Sequence, residues 1–230
     1  MTFHNPARVA GFLYLLLGVS VYRLVYIPNK LLVPGNTEAT TRNIADHQFL
    51  FRLGIVSDLL AAILAIFLVL TLYQLFKGVD RSLAILMVIL GGPMPGAVYF
   101  FNVLNDVAAL LLVRGSDFMA TFDKPHANAL AMLFLRMHDY GVFANEIFWG
   151  LWLFPFGLLV WRSGFLPRIL GVFLFIACAA YLILSLTGIL FPQYLTRVYS
   201  VVSPGMMGEG PILLWLLIKG PRPPVVPSTQ

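Results

Sequence analysis

A group of polar and ionisable side chains interrupts an otherwise apolar stretch in the middle of the chain. Its members are Arg136, His138, Asp139, Asn145 and Glu146. Such side chains are costly to place in hydrocarbon, and in membrane proteins they usually face the bundle interior or a water-filled cavity. Histidine and carboxylate groups can carry protons, bind polar ligands or hold a metal ion. The group therefore predicts a polar pocket inside a membrane protein, although it does not identify what the pocket binds.

The composition of the 230-residue chain identifies the class of protein that contains this pocket. Hydrophobic residues make up 60% of the chain and charged residues 11%, and the mean hydropathy is +0.87. A soluble domain is about 45–50% apolar and about 25% charged. We therefore predict an all-α integral membrane protein whose partner is the lipid bilayer. The net charge of +5 comes from scattered basic residues, so we expect no nucleic-acid partner.

Six apolar segments are long enough to cross a bilayer, since roughly 20 helical residues span its hydrocarbon core. We place them in one domain, residues 1–220, followed by a proline-rich disordered tail at 221–230. The predicted spans are approximately 9–27, 51–76, 83–113, 127–161, 169–190 and 198–218. The first is expected to end at Pro28, and a surface helix capped by Asn36 or Thr37 follows it.

Glycine and proline residues predict where the longer spans bend. The third and fourth spans are longer than a straight helix needs to be to cross the hydrocarbon core. We expect the third to bend at 91–96, which contains two prolines, and the fourth at Gly141 or Pro155. The sixth span is interrupted in the same way at 203–211. Broken helices in matching halves of a membrane protein favour a transporter-like site at mid-membrane.

The charges of the loops predict which side of the membrane the termini occupy. With six spans, both termini lie on the side that carries seven basic residues: Arg8, Lys77, Arg81, Arg162, Arg168, Lys219 and Arg222. The loops of the opposite side carry five: Lys30, Arg42, Arg114, Lys124 and Arg197. By the positive-inside rule, we expect both termini to be cytoplasmic.

The position of each polar residue along its span gives its approximate depth, because successive spans run in opposite directions. On this basis nearly all of the polar residues fall in the outer half of the membrane, with Glu209 near the middle of its span. Asp58 lies on a helical stripe with Gly54, Ala61, Ala62 and Ala65. Small-residue stripes are surfaces along which membrane helices pack closely, so Asp58 should face a neighbouring helix.

Our leading hypothesis is an outward-facing pocket that binds or transports a small molecule or a proton. Arg52 and Arg136 would act as counter-charges to the acidic groups. The ligand-binding or proton-carrying candidates are Arg52, Asp58, Asn102, Asp106, Arg136, His138, Asp139, Asn145, Glu146 and Glu209. We expect the carboxylates among them to meet in one hydrated chamber.

Two other classes of function remain open. A membrane-embedded hydrolase or lyase would use His138 as general base, oriented by Asp139 or Asp106. A metal ion held by His138, Asp106, Asp139 and Glu146 would fit that alternative, but no pair of histidines has metal-ligand spacing. We therefore assign no metal, and we expect no cofactor.

The third alternative is a sensor or partner-binding subunit, in which the polar groups serve only to hold the bundle together. Arg136 and Asp139 lie three residues apart and could form a structural ion pair. Asn102, Asn105 and Asn145 could form hydrogen bonds between helices, at about 0.6 kcal/mol each. The sequence alone does not choose among the three classes.

Several sequence blocks resemble one family, the six-pass membrane proteins catalogued as domain of unknown function 4386. The most specific blocks are Phe-Arg-Leu-Gly-Ile-Val-Ser-Asp-Leu-Leu at 51–60 and Ser-Gly-Phe-Leu-Pro-Arg-Ile-Leu-Gly-Val at 163–172. Further similar blocks lie at 7–16, 33–36, 208–209 and 214–217. The resemblance implies six helices and a multi-pass location in the bacterial inner membrane. It implies no reaction, ligand or catalytic residue.

Overall fold

The computed structural model describes residues 6–115 and 123–220, and within these ranges the chain is helical and contains no strand. Six of the helices are long and apolar enough to cross a membrane, which confirms the all-α, six-span prediction. They are α1 (Pro6–Leu31), α3 (Gln48–Phe76), α4 (Arg81–Arg114), α5 (Lys124–Ser163), α6 (Arg168–Leu190) and α7 (Pro192–Ile218). The shorter helix α2 spans Thr37–Asp46. The predicted tail at 221–230 lies outside the described residues.

Helix α2 begins at the predicted cap. The Asn36 side chain accepts a hydrogen bond from the backbone N–H of Ala39 at 2.9 Å, which satisfies one of the free donors of the first turn. The helix ends at Asp46, and only His47 separates it from the start of α3. Helix α2 therefore leads directly into the second membrane helix.

Helix α1 is irregular around Arg23. It is α-helical to Leu16, passes through a 3₁₀ turn, and contains a π turn at Tyr22–Tyr26. The prediction that it ends at Pro28 is wrong, since the helix continues to Leu31. Pro28 lies in the first turn of the last segment, where a missing N–H is tolerated. Arg23 lies within the π turn, a local widening that is frequent at functional sites.

Helices α4, α5 and α7 are each broken once. The break of α4 lies at Gly92, within the predicted segment. The break of α5 lies at Trp152, one turn before Pro155, because proline cannot donate a hydrogen bond back to the preceding turn. Gly141 causes no break, contrary to the alternative considered from the sequence. Helix α7 breaks between Met206 and Glu209.

The polar residues lie between two apolar clusters. Along α3, Asp58 follows Phe51 of one cluster and precedes Leu68 of the other. Along α5, His138 follows Leu135 of the first and precedes Trp152 of the second. The apolar clusters fix the spacing of the helices above and below, so the polar side chains between them have defined neighbours.

Candidate functional site

A buried ion pair joins α1 to α4 at the centre of the site. The Arg23 side chain donates two hydrogen bonds to Asp106, from Nε to Oδ2 and from Nη2 to Oδ1, each at 2.7 Å. Arg23 is 3% exposed and Asp106 is fully buried. Paired hydrogen bonds between guanidinium and carboxylate are among the strongest contacts of this kind. The pair therefore fixes the position of the Asp106 carboxylate.

The approach of Arg23 depends on a glycine in α3. A Cβ atom added to Gly54 would lie 3.0 Å from Arg23 Cδ and 3.1 Å from Ile27 Cγ1. Gly54 thus leaves room for the arginine side chain to cross towards α4. This contact explains why the small-residue stripe that contains Asp58 faces α1.

His138 of α5 lies between two carboxylates. Its Nδ1 is 3.4 Å from Asp106 Oδ2, and its Nε2 is 4.0 Å from Asp58 Oδ2. The side chains of His138 and Asp58 are almost fully buried. Within the described residues, neither ring nitrogen of His138 nor Oδ1 of Asp58 has a hydrogen-bond partner. We call Arg23, Asp58, Asp106 and His138 the outer cluster.

The outer cluster can be neutralised by one added proton. With Arg23 protonated, both carboxylates ionised and His138 neutral, the cluster carries a net charge of −1. One proton added to His138 or Asp58 makes it neutral. Because uncompensated charge is costly in a low-dielectric interior, the unpaired atoms of Asp58 and His138 are suited to take up that proton.

Two asparagines of α4 hold the backbone of α5 next to His138. Asn102 donates a hydrogen bond from Nδ2 to the carbonyl oxygen of His138 at 3.0 Å, and Asn105 donates to Asn102 Oδ1 at 3.1 Å. A side chain at Gly141 would collide with Asn102. Gly141 is therefore a close-contact position between α4 and α5, which accounts for its place in the polar segment without a bend.

A cavity of about 340 Å³ lies beside the outer cluster, between α1, α5, α6 and α7. Its polar walls are formed by Arg23, Arg136, His138 and Asp139. Asp139 is half-buried and interacts electrostatically with both Arg23 and Arg136. Pockets for small molecules typically enclose about 300–1,000 Å³. A small polar molecule would fit this volume and would touch one edge of the outer cluster.

The outer cluster also has the composition of a metal site. Ligand atoms of Asp58, Asp106 and His138 all lie within 4.8 Å of one another. Asp139 and Glu146, which belonged to the set considered from the sequence, are not part of this group. Both Asp106 oxygens are already bonded to Arg23. A cation would therefore have to compete with the guanidinium for this carboxylate.

Several predicted residues lie apart from the outer cluster. Arg52 is exposed on α3, and the counter-charge of Asp106 is Arg23 instead. Asn145 and Glu146 are buried, and Asn145 Oδ1 and Glu146 Oε2 have no hydrogen-bond partner in the described part of the chain. The expectation of one chamber for all the carboxylates is wrong for Glu209. Its Oε2 instead accepts a hydrogen bond from the Tyr14 hydroxyl.

Sequence reasoning did not assign Arg23 a role, although it is the charged partner at the centre of the site. The available signal was a single arginine within the first apolar span. Its partner could not be read from helical spacing, because Asp106 lies on another helix. The tyrosines that contact Glu209 carried no such signal, since tyrosine is common in membrane helices and at their interfaces.

Comparisons with known proteins identify relatives of this chain. The family model described as "Domain of unknown function (DUF4386)" matches residues 9–220. The chain is 31% identical over 149 residues to an "Uncharacterized protein" of Archaeoglobus fulgidus. The aligned region covers 63% of this chain and 85% of that protein. No solved structure matches the chain significantly. The region matched by the family model includes every residue of the outer cluster.

Proposed function

We propose a function for this chain, which belongs to the DUF4386 family of membrane proteins, from the site that its helices build. The outer cluster is a proton-binding site, and the cavity beside it receives a small polar molecule whose binding or transport is coupled to that proton. By the positive-inside rule, the cavity faces the outside of the inner (plasma) membrane.

The observation that carries this proposal is the environment of His138. The ring lies between the carboxylates of Asp58 and Asp106, and both of its nitrogens lack a hydrogen-bond partner in the described residues. A protonated ring would donate towards both carboxylates at once. Because His138 and Asp139 also line the cavity, a ligand there would change the surroundings of the proton. Binding of the ligand and binding of the proton are therefore coupled.

The proton-binding role is tested by infrared difference spectroscopy of the purified protein in lipid, recorded across a step in pH. We expect carboxyl and imidazole bands that change with pH in the wild type and disappear in Asp58→Asn and His138→Gln, respectively. His126→Ala is the matched control, since His126 is exposed and pairs with Asp123 outside the outer cluster. Spectra of the two outer-cluster variants that match the wild type would refute the proposal.

A second candidate function is a metal-dependent enzyme, favoured by the grouping of Asp58, Asp106 and His138. His138 and the two aspartates would hold the ion, which would supply an activated water. Elemental analysis of the purified protein distinguishes the two candidates. One equivalent of zinc or iron that is lost in His138→Ala would favour the enzyme, whereas metal-free protein that retains the pH-dependent bands would favour the proton site.

A further inference from the structure

A second polar site lies on α1, α6 and α7, apart from the outer cluster. Glu209 of α7 accepts a hydrogen bond from the Tyr14 hydroxyl of α1, and it also interacts with the hydroxyl of Tyr181 on α6. Glu209 lies nine residues before the end of α7 at Ile218, and Tyr14 lies eight residues after Pro6. Both therefore lie in the half of their helix that we assign to the cytoplasmic side. We call Tyr14, Tyr181 and Glu209 the inner cluster.

Two close contacts between helices position Glu209 between these tyrosines. A Cβ atom at Gly11 would lie 2.5 Å from the backbone nitrogen of Leu217, so α1 and α7 touch at their backbones. A Cβ atom at Gly208 would collide with the carbonyl oxygen of Phe173 on α6. The break of α7 lies directly before Glu209, which begins the last helical segment. The glycines therefore place this carboxylate between α1 and α6.

A line of ionisable side chains lies between the two clusters. Tyr99 of α4 is 8% exposed and interacts electrostatically with Asp58 of the outer cluster. Tyr99 and Tyr181 interact with each other, and both rings pack on Trp149, with centroid distances of 5.9 Å and 6.1 Å. Tyr181 in turn interacts with Glu209.

A buried carboxylate lies beside this line. Glu146 of α5 is 6% exposed, and its Oε2 has no hydrogen-bond partner in the described residues. It interacts electrostatically with Tyr181. A carboxylate without a partner is costly in hydrocarbon unless it faces polar groups or water. Its presence supports a hydrated space between Tyr99 and Tyr181.

We propose that the inner cluster is a second proton-carrying site, and that Tyr99, Tyr181 and Glu146 relay protons to it from the outer cluster. This inference rests on the proposed function, because the outer cluster supplies the proton. In each step a tyrosine hydroxyl accepts a proton from one side and releases its own to the other, so that it remains neutral. The gap between Tyr99 and Tyr181 is bridged by water. Glu209 receives the proton and delivers it to the cytoplasmic side.

The relay is tested by proton flux into liposomes that contain the purified protein and a pH-sensitive dye, under an imposed pH gradient and a clamped membrane potential. We expect Tyr181→Phe and Glu209→Gln to lower the protein-dependent flux about tenfold or more, as expected when a positioned proton carrier is removed. Tyr73→Phe is the matched control, since Tyr73 packs against the large apolar cluster. It should retain the wild-type flux.

The outcome separates the relay from the proposed function. The relay is overturned if the wild type gives no protein-dependent flux, or if Tyr181→Phe and Glu209→Gln retain it. In either case the pH-dependent infrared bands of Asp58 and His138 would still establish the outer proton site. Loss of flux in both variants, with these outer bands unchanged, would support the relay and exclude general misfolding as its cause.

Discussion

Replacement of Arg23 by methionine should destabilise the protein, because it removes the charged partner of Asp106. Methionine replaces the unbranched stem of arginine but not its guanidinium, so Arg23→Met leaves Asp106 buried without its paired hydrogen bonds. Breaking a buried ion pair by removal of one partner typically costs about 3–5 kcal/mol. Two unit charges about 4 Å apart at an effective dielectric constant of about 20 attract by about 4 kcal/mol, which agrees with that range.

The structure places the expected loss near the lower end of the range. His138 Nδ1 lies 3.4 Å from the same carboxylate, and a protonated ring can partly replace the lost charge. We therefore expect Arg23→Met to lower the free energy of unfolding by about 3 kcal/mol. The double variant Arg23→Met with Asp106→Asn removes both charges, and it should recover all but about 1 kcal/mol of the wild-type value.

The measurement is unfolding in mixed detergent micelles with increasing sodium dodecyl sulfate, followed by circular dichroism. Arg52→Met provides a matched control, because Arg52 is exposed on α3 and should change stability by less than about 0.5 kcal/mol. The reasoning would be refuted by a double variant as unstable as Arg23→Met alone. It would equally be refuted by an Arg23→Met variant as stable as the wild type.

Three further predictions concern packing, capping and orientation. Gly54→Ala should lower the free energy of unfolding by about 1–3 kcal/mol, because its Cβ would crowd Arg23. Gly96→Ala is the control, since a Cβ there would meet only one side-chain atom, at 3.9 Å. Equal losses of stability in the two variants would contradict the contact between Gly54 and Arg23. Asp80→Ala should cost about 1 kcal/mol through loss of the cap on Leu83 N–H, whereas Arg162→Ala removes only a surface ion pair and should cost less in the same unfolding assay. A fluorescent protein fused to the C-terminus should fluoresce and a periplasmic phosphatase should stay inactive there, and the reverse pattern would overturn the predicted orientation.

The sequence was most informative where one residue type determines local structure. The two prolines after Gly92 fixed the break of α4, because proline removes a backbone donor. The small residues Gly54, Ala61, Ala62 and Ala65 identified the face of α3 that Asp58 shares, and the structure buries all of them. These features depend on a single helix, so helical periodicity is sufficient to predict them.

Pairing between helices could not be predicted in the same way. Arg52 and Asp58 are close in sequence, yet Arg52 is exposed and the partner of Asp106 is Arg23, 83 residues away. That partnership depends on the packing of α1 against α4, which the sequence of neither helix specifies. Sequence position alone therefore suggested the wrong arginine.

The start of the sixth span differs from the sequence prediction for another reason. The predicted sixth span begins at residue 198, whereas α7 begins at Pro192. The additional turns move the middle of the helix towards its N-terminus, so Glu209 lies four residues beyond the middle of α7 (209 against 205). Composition did not predict this start, because the segment from 192 to 198 contains proline, glutamine, threonine and arginine.

The π turn at Tyr22–Tyr26 makes the position of Arg23 sensitive to chain length. A π turn accommodates one residue more than an α turn, so deletion of a single residue there could restore a regular α-helix without breaking the span. Deletion of Val25, which is half exposed, would shorten this turn while the parts of α1 before and after it kept their register. Arg23 lies inside the turn, so the geometry of its two hydrogen bonds to Asp106 would change while the helix still crossed the bilayer.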